Sequence, residues 1–151
     1  MYAGGQMQNG VFSGWKAHRQ AYCDAHSLMS IKQDVKLLNE HIVGYTVEKA
    51  LHHTRTRHPL NAEEVAWFLP HYSSGYFRDK VYAGLKNAGF ELGFEKWFTN
   101  LPEKGNTGSA SIYIMLDEFI RSGRAQKGEK ILCYIPESGR FSSCFMLLEA
   151  V

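Results

Sequence analysis

Helix-like and strand-like segments alternate from residue 30 to the end of the chain, and this alternation constrains the fold more than any other feature. Ile31, Val35, Leu38, Ile42, Tyr45, Ala50 and His53 recur at steps that suit one face of an amphipathic helix. Ser30 suits the N-cap of that helix, and Pro59 closes it. Asn61-Ala-Glu-Glu reads as a capped turn, with Glu63 and Glu64 at its positive end. The short apolar run 65–69, stopped by Pro70, predicts a buried strand. Ser73 and Ser74 can cap a helix that runs to about Asn87 and stops at Gly89. A further strand is expected over 96–101, then a tight loop at Lys104-Gly-Asn-Thr-Gly. Residues 109–121 form a helix so rich in apolar and small residues that burial on several sides is expected. Two last strands, 130–135 and 141–149, are joined by a short link that allows antiparallel pairing. The order is helix, strand, helix, strand, helix, strand, strand. It predicts a layered α/β domain: a mixed, mostly parallel sheet with helices on its faces.

Residues 1–29 lack a sustained period and are expected to be irregular, with a short helical piece around 15–23. A structureless stretch of that length is unusual in a compact domain. It suggests a segment that packs against something else. The domain proper is placed at residues 30–151.

Composition removes several classes of function. Seventeen basic and fifteen acidic residues leave a formal charge of +2, without the basic stripe of a nucleic-acid-binding domain. Three scattered cysteines, Cys23, Cys133 and Cys144, argue against a disulfide framework and fit a reducing compartment. All three are expected to be structural. No apolar run is long enough to cross a bilayer, and the N-terminus lacks a signal-peptide pattern. A cytoplasmic protein is expected, with no membrane or nucleic-acid partner and no cofactor. The histidines outside residue 71 show no diagnostic metal-ligand spacing, so no metal is expected.

Two places put polar residues where a strand passes into a helix: Leu69-Pro-His71-Tyr-Ser-Ser and Lys104-Gly-Asn106-Thr-Gly-Ser-Ala-Ser. Ligands of open α/β sheets bind at such corners, where helix N-termini offer free N–H groups. A histidine near neutral pH can donate or accept, and an asparagine amide can donate. Together, His71 and Asn106 could hold a developing enolate or thioester oxygen. Alternatively, His71 is an ordinary loop residue and Gly105-Asn106 an ordinary turn. Pattern alone stops at an α/β domain with one chemically suggestive edge.

Pro70-His71, then Gly105-Asn106-Thr107-Gly-Ser-Ala-Ser-Ile-Tyr-Ile-Met-Leu-Asp117-Glu118, then Gly123-Arg-Ala-Gln-Lys-Gly128-Glu-Lys-Ile-Leu, stand in collinear order. They resemble the late part of β-ketoacyl-acyl-carrier-protein synthase III proteins, over about residues 30–151. The resemblance implies the C-terminal half of a thiolase-like fold built from two similar halves. It implies an acyltransferase that loads an acyl group on a Cys of the first half and condenses it with malonyl-carrier protein after decarboxylation, in fatty-acid or polyketide-type biosynthesis. His71 and Asn106 would then stabilise the enolate. Acyl-carrier-protein or CoA thioesters would be the substrates.

The chain departs from that pattern in four ways. No cysteine has the nucleophile's setting. The family's Gln-Ala-Asn after the His is Tyr72-Ser73-Ser74. The Gly-rich turn of the last hairpin, which lines the site in the family, is Glu137-Ser-Gly139-Arg140. The family's carrier-contacting Arg falls on Tyr76. Arg78 and Lys80 lie close and could serve instead, or they form a solvated helix face. Ser73, Gly139, Arg78 and Lys80 are therefore the candidate substrate or carrier contacts. The missing nucleophile leaves two expectations. The chain is the C-terminal domain of a full enzyme whose N-terminal half carries the Cys, and is inactive in isolation, or it is a non-catalytic partner or truncated interaction module that self-associates through its apolar helix.

Overall fold

The computed structural model of the chain describes residues 4–139 and 141–151. Where the sequence predicts an irregular start, the structure has an antiparallel hairpin, β1 (Gly5–Gln8) and β2 (Val11–Gly14). The physical reason is Asn9-Gly10. Both residues sit at positive φ, 48° and 78°, the conformation a tight two-residue hairpin turn needs. A 3-10 turn, Trp15–Ala17, and a short helix α1, Gln20–Ala25, follow. Cys23 is therefore helical and buried. The segment is fastened by Trp15 N–H to the Gly4 carbonyl (2.7 Å) and by Gln6 Nε2 to the Tyr22 hydroxyl (2.8 Å).

The first long helix starts four residues later than its apolar period suggests. α2, Val35–Val43, is capped by Asp34, whose carboxylate accepts the Leu37 N–H at 2.9 Å. That bond satisfies an otherwise orphaned donor, and Ile31 is left exposed outside the helix. A π-helical stretch, Gly44–Lys49, joins α2 to α3, Ala50–Arg57. Within it, Thr46 is buried and donates to the Ile42 carbonyl (2.7 Å). The helix ends as expected before Pro59, with His58 extended.

β3, Val65–Pro70, is followed by a 3-10 turn and α4, Arg78–Asn87. The strand expected at 96–101 is a single parallel bridge, Phe68 to Trp97, with Phe98 N–H on the Phe68 carbonyl (2.9 Å). A 3-10 turn at Phe94–Lys96 precedes it, and the one-turn helix α5, Leu101–Lys104, follows. Pro102 suits the first turn of that helix, so too few residues remain for a ladder. α6, Ser111–Arg121, then leads to β4, Lys130–Glu137, and β5, Ser142–Glu149.

The main sheet has the order β3-β4-β5, the first pair parallel and the second antiparallel. Side chains alternate across it. Phe68, Leu132 and Tyr134 face one core with Val47, Leu51, Val81 and Leu85. Leu69, Ile131 and Cys133 face the other with Ile112, Met115 and Phe119. Helices thus cover both faces, the arrangement the alternation predicts. α6 buries one stripe rather than several sides: Ser111, Ile112, Met115 and Phe119 are covered, while Tyr113 and Ile120 are exposed.

Candidate functional site

β3 hands the chain to His71, whose N–H donates to the Tyr134 carbonyl of β4 at 2.8 Å. This adds one rung beyond the strand and fixes the backbone at the carboxyl edge of the sheet. The His71 side chain is half-buried, and burial lowers its pKa below the usual histidine value of 6.5. Near neutral pH the imidazole is uncharged, with one nitrogen to donate and one to accept.

His71 lines a small cleft with a cavity volume of about 10 Å³, together with Pro70, Thr99, Asn100, Gly105 and Met115, among others. Asn106 follows Gly105 in the loop that borders the cleft, with its side chain exposed. The Asn106 Oδ1 accepts the Gly108 N–H at 3.0 Å, so this bond does not use its Nδ2 donor. Gly105 and Gly108 stand at φ 69° and 61°, where a side chain would strain the backbone. Both let the loop double back into α6. The structure therefore brings His71 and the Asn106 loop to one edge of the sheet.

The candidate substrate contacts are more dispersed. Ser73 is exposed in the loop after His71 and does not line the cleft. Arg78 lies over the Phe94 ring, 3.6 Å from its centroid, and pairs with Asp79 at 3.4 Å. Lys80 donates to the Tyr76 hydroxyl at 2.7 Å. Both cations sit on α4, outside the cleft lining. Gly139 lies in the β4–β5 turn, its N–H donating to Glu137 Oε1 at 2.6 Å. Arg140, the last residue of that turn motif, lies outside the described residues. Cys133 is buried in β4, where desolvation pushes its thiol up to about 12, far from a reactive thiolate. Cys144 is exposed on β5. Among the described residues no three His, Cys, Asp or Glu side chains form a group able to hold a metal ion. No helix among the described residues is long and apolar enough to cross a membrane.

Asn100, Ser111, Met115 and Glu118 also belong to this corner, although the sequence pattern assigns them no site role. Asn100 Nδ2 donates to Glu118 Oε2 at 2.6 Å, and Lys104 Nζ meets Glu118 Oε1 at 2.9 Å. These bonds hold the Glu118 carboxyl below, and the Lys104 ammonium above, their ordinary pKa values. Ser111 is buried, accepts the Thr107 N–H at 3.1 Å and meets the Thr107 hydroxyl at 2.9 Å. The signal available in the sequence is the spacing: positions 111, 115 and 118 share one helix face.

Residues 56–139 match the family model described as 3-oxoacyl-[acyl-carrier-protein (ACP)] synthase III C terminal, more than half of the chain. The β-ketoacyl-[acyl-carrier-protein] synthase III of Microcystis aeruginosa is 39% identical over 89 residues, 59% of this chain and 24% of that protein. The Sodalis glossinidius protein of the same name is 34% identical over 79 residues, 52% of this chain and 23% of its own length. This chain spans about a quarter of the curated relatives it matches. Among solved structures, the synthase III of Thermus thermophilus superposes with a TM-score of 0.63 at 22% identity, over 80% of this chain and 35% of that one. OleA of Xanthomonas campestris gives 0.61 at 27% identity, over 76% and 31%. The mixed sheet covered by helices on both faces is thus the C-terminal part of a thiolase-like fold, and the chain belongs to the family of 3-oxoacyl-[acyl-carrier-protein] synthase III C-terminal domains.

Proposed function

We propose that this chain supplies the decarboxylation half of a condensing active site. The partner half would carry the acyl-loaded Cys. A malonyl thioester, on a carrier protein or CoA, loses carbon dioxide, and negative charge develops on its thioester oxygen. His71, through an imidazole N–H, and Asn106, through Nδ2, donate to that oxygen. The enolate carbon then attacks the acyl thioester carbon, and the Cys thiolate leaves. Preformed donors aimed at developing charge are a large source of rate enhancement.

One observation carries the reading. His71 is held at the sheet edge by a backbone bond to β4, its ring neutral through burial and lining the same cleft as the Gly105 corner. A neutral imidazole keeps one N–H to donate. Fatty-acid or polyketide-type synthesis is the setting we propose, on the strength of what the relatives are named.

The test is His71→Ala in the chain assembled with its Cys-bearing half. Condensation should fall by about 100-fold or more, the usual cost of removing one such donor, while acylation of the Cys persists. Unchanged condensation would favour the second reading, a non-catalytic partner. That reading draws on the cysteines: Cys23 and Cys133 are buried, and Cys144, though exposed, lies within β5 and not at a helix start.

A further inference from the structure

The loop that carries Asn106 is attached to α6 at both ends. At its start, Asn100 and Lys104 both bond to the Glu118 carboxylate, at 2.6 and 2.9 Å. Near its end, the Thr107 N–H and hydroxyl meet Ser111 Oγ, at 3.1 and 2.9 Å. Ser111 and Glu118 are seven positions apart on α6, two turns along one face. Met115 lies between them, and Ser111 and Met115 both line the cleft. α6 itself is anchored on the sheet by Ile112, Met115 and Phe119, packed on Leu69, Ile131 and Cys133. A rigid helix thus presents two polar anchors to the loop, with Gly105 and Asn106 between them.

We infer that Glu118 is a positioning residue for Asn106: by holding Asn100 and Lys104 it sets where the loop, and with it the Asn106 amide, stands relative to His71. The inference rests on the proposed role of Asn106. Without the carboxylate, Lys104 has no ion pair on α6 and Asn100 loses its acceptor. The loop then keeps only its Ser111 anchor and pivots there. Displacement of a reacting group by about 1 Å can cost about 100-fold in rate.

A purely structural role predicts a general loss of folded protein, whereas positioning predicts a loss that passes through Asn106. The experiment is therefore a double-mutant cycle in the chain assembled with its Cys-bearing half. Glu118→Ala should lower condensation by about tenfold or more and leave acylation of the Cys unaltered. In an Asn106→Ala background the same change should cost almost nothing further, because coupled residues are not additive. Glu118→Gln keeps an acceptor for Asn100 and should restore part of the loss. If Glu118→Ala costs the same factor with and without Asn106, or slows acylation equally, the positioning role is overturned. If Asn106→Ala alone leaves condensation untouched, the assignment of the catalytic donors fails first, which is a separate result. Hydrogen exchange on this chain alone gives an independent reading. Amides 105–108 should exchange faster in Glu118→Ala than in wild type, and unchanged protection there contradicts the inference.

Discussion

Thr46 and Tyr134 form a hydroxyl pair at 2.6 Å, across the interface between the π-helical stretch and the central strand. Thr46 is 0% and Tyr134 2% exposed, so water does not compete for either group. Burial raises the Tyr134 phenol well above its ordinary pKa, so it stays protonated and can donate. The Thr46 hydroxyl has a second partner, the Ile42 carbonyl. The two single replacements should therefore differ. Tyr134→Phe leaves Thr46 with Ile42 and costs about 1 kcal/mol, one net hydrogen bond. Thr46→Val leaves the Tyr134 hydroxyl buried with no acceptor and costs about 2–3 kcal/mol. The double variant removes both polar groups and should be more stable than Thr46→Val alone, by about 1–2 kcal/mol. Urea unfolding of the chain reads these numbers. With a slope of about 1–3 kcal/mol per molar, Thr46→Val shifts the midpoint by about 1 M. Costs that simply add, or a costlier Tyr134→Phe, would refute the idea that the hydroxyls satisfy one another.

Burial lowers the His71 pKa from 6.5, so the unfolded chain binds that proton more readily than the folded one. Stability from this group is then fully present above about pH 6.5 and is lost as the pH falls toward the depressed value. The urea-midpoint advantage of wild type over His71→Gln should be constant above that pH and shrink below it; a difference independent of pH contradicts the burial effect. Gly84 of α4 faces Val43 and Val47, and an added Cβ would lie 2.6 Å from Val43 Cγ1. Helix propensity favours Gly84→Ala by about 1 kcal/mol, yet overpacking should outweigh it at about 1–3 kcal/mol. A raised melting temperature for Gly84→Ala would show that the helices have room there.

The long periodic elements were legible because their signal is local. Three-and-four spacing marked α2 through α3, Pro59 marked their end, and unbroken apolar runs marked β3 and β4. Asn9-Gly10 was equally local, but its strands are four residues long and carry too little alternation to announce a hairpin. The strand expected at 96–101 failed for a different reason. It holds Trp97, Phe98 and Leu101, but a 3-10 turn before it and α5 after it leave Trp97 a single rung with Phe68.

The candidate site divides along the same line. Pro70-His71 and Gly105-Asn106 are short motifs at strand-to-helix corners, so the sequence by itself determined the chemical groups and the family they belong to. Only tertiary structure decided their setting. The backbone bond from His71 to Tyr134 joins residues 63 positions apart, as counted from 71 to 134. The Glu118 bonds to Asn100 and Lys104 tie the loop before α6 onto the helix across a shorter stretch of chain. Periodicity reports which face of an element is apolar. Which faces meet, and which polar groups then find each other, depends on the packing of all the elements on the sheet at once.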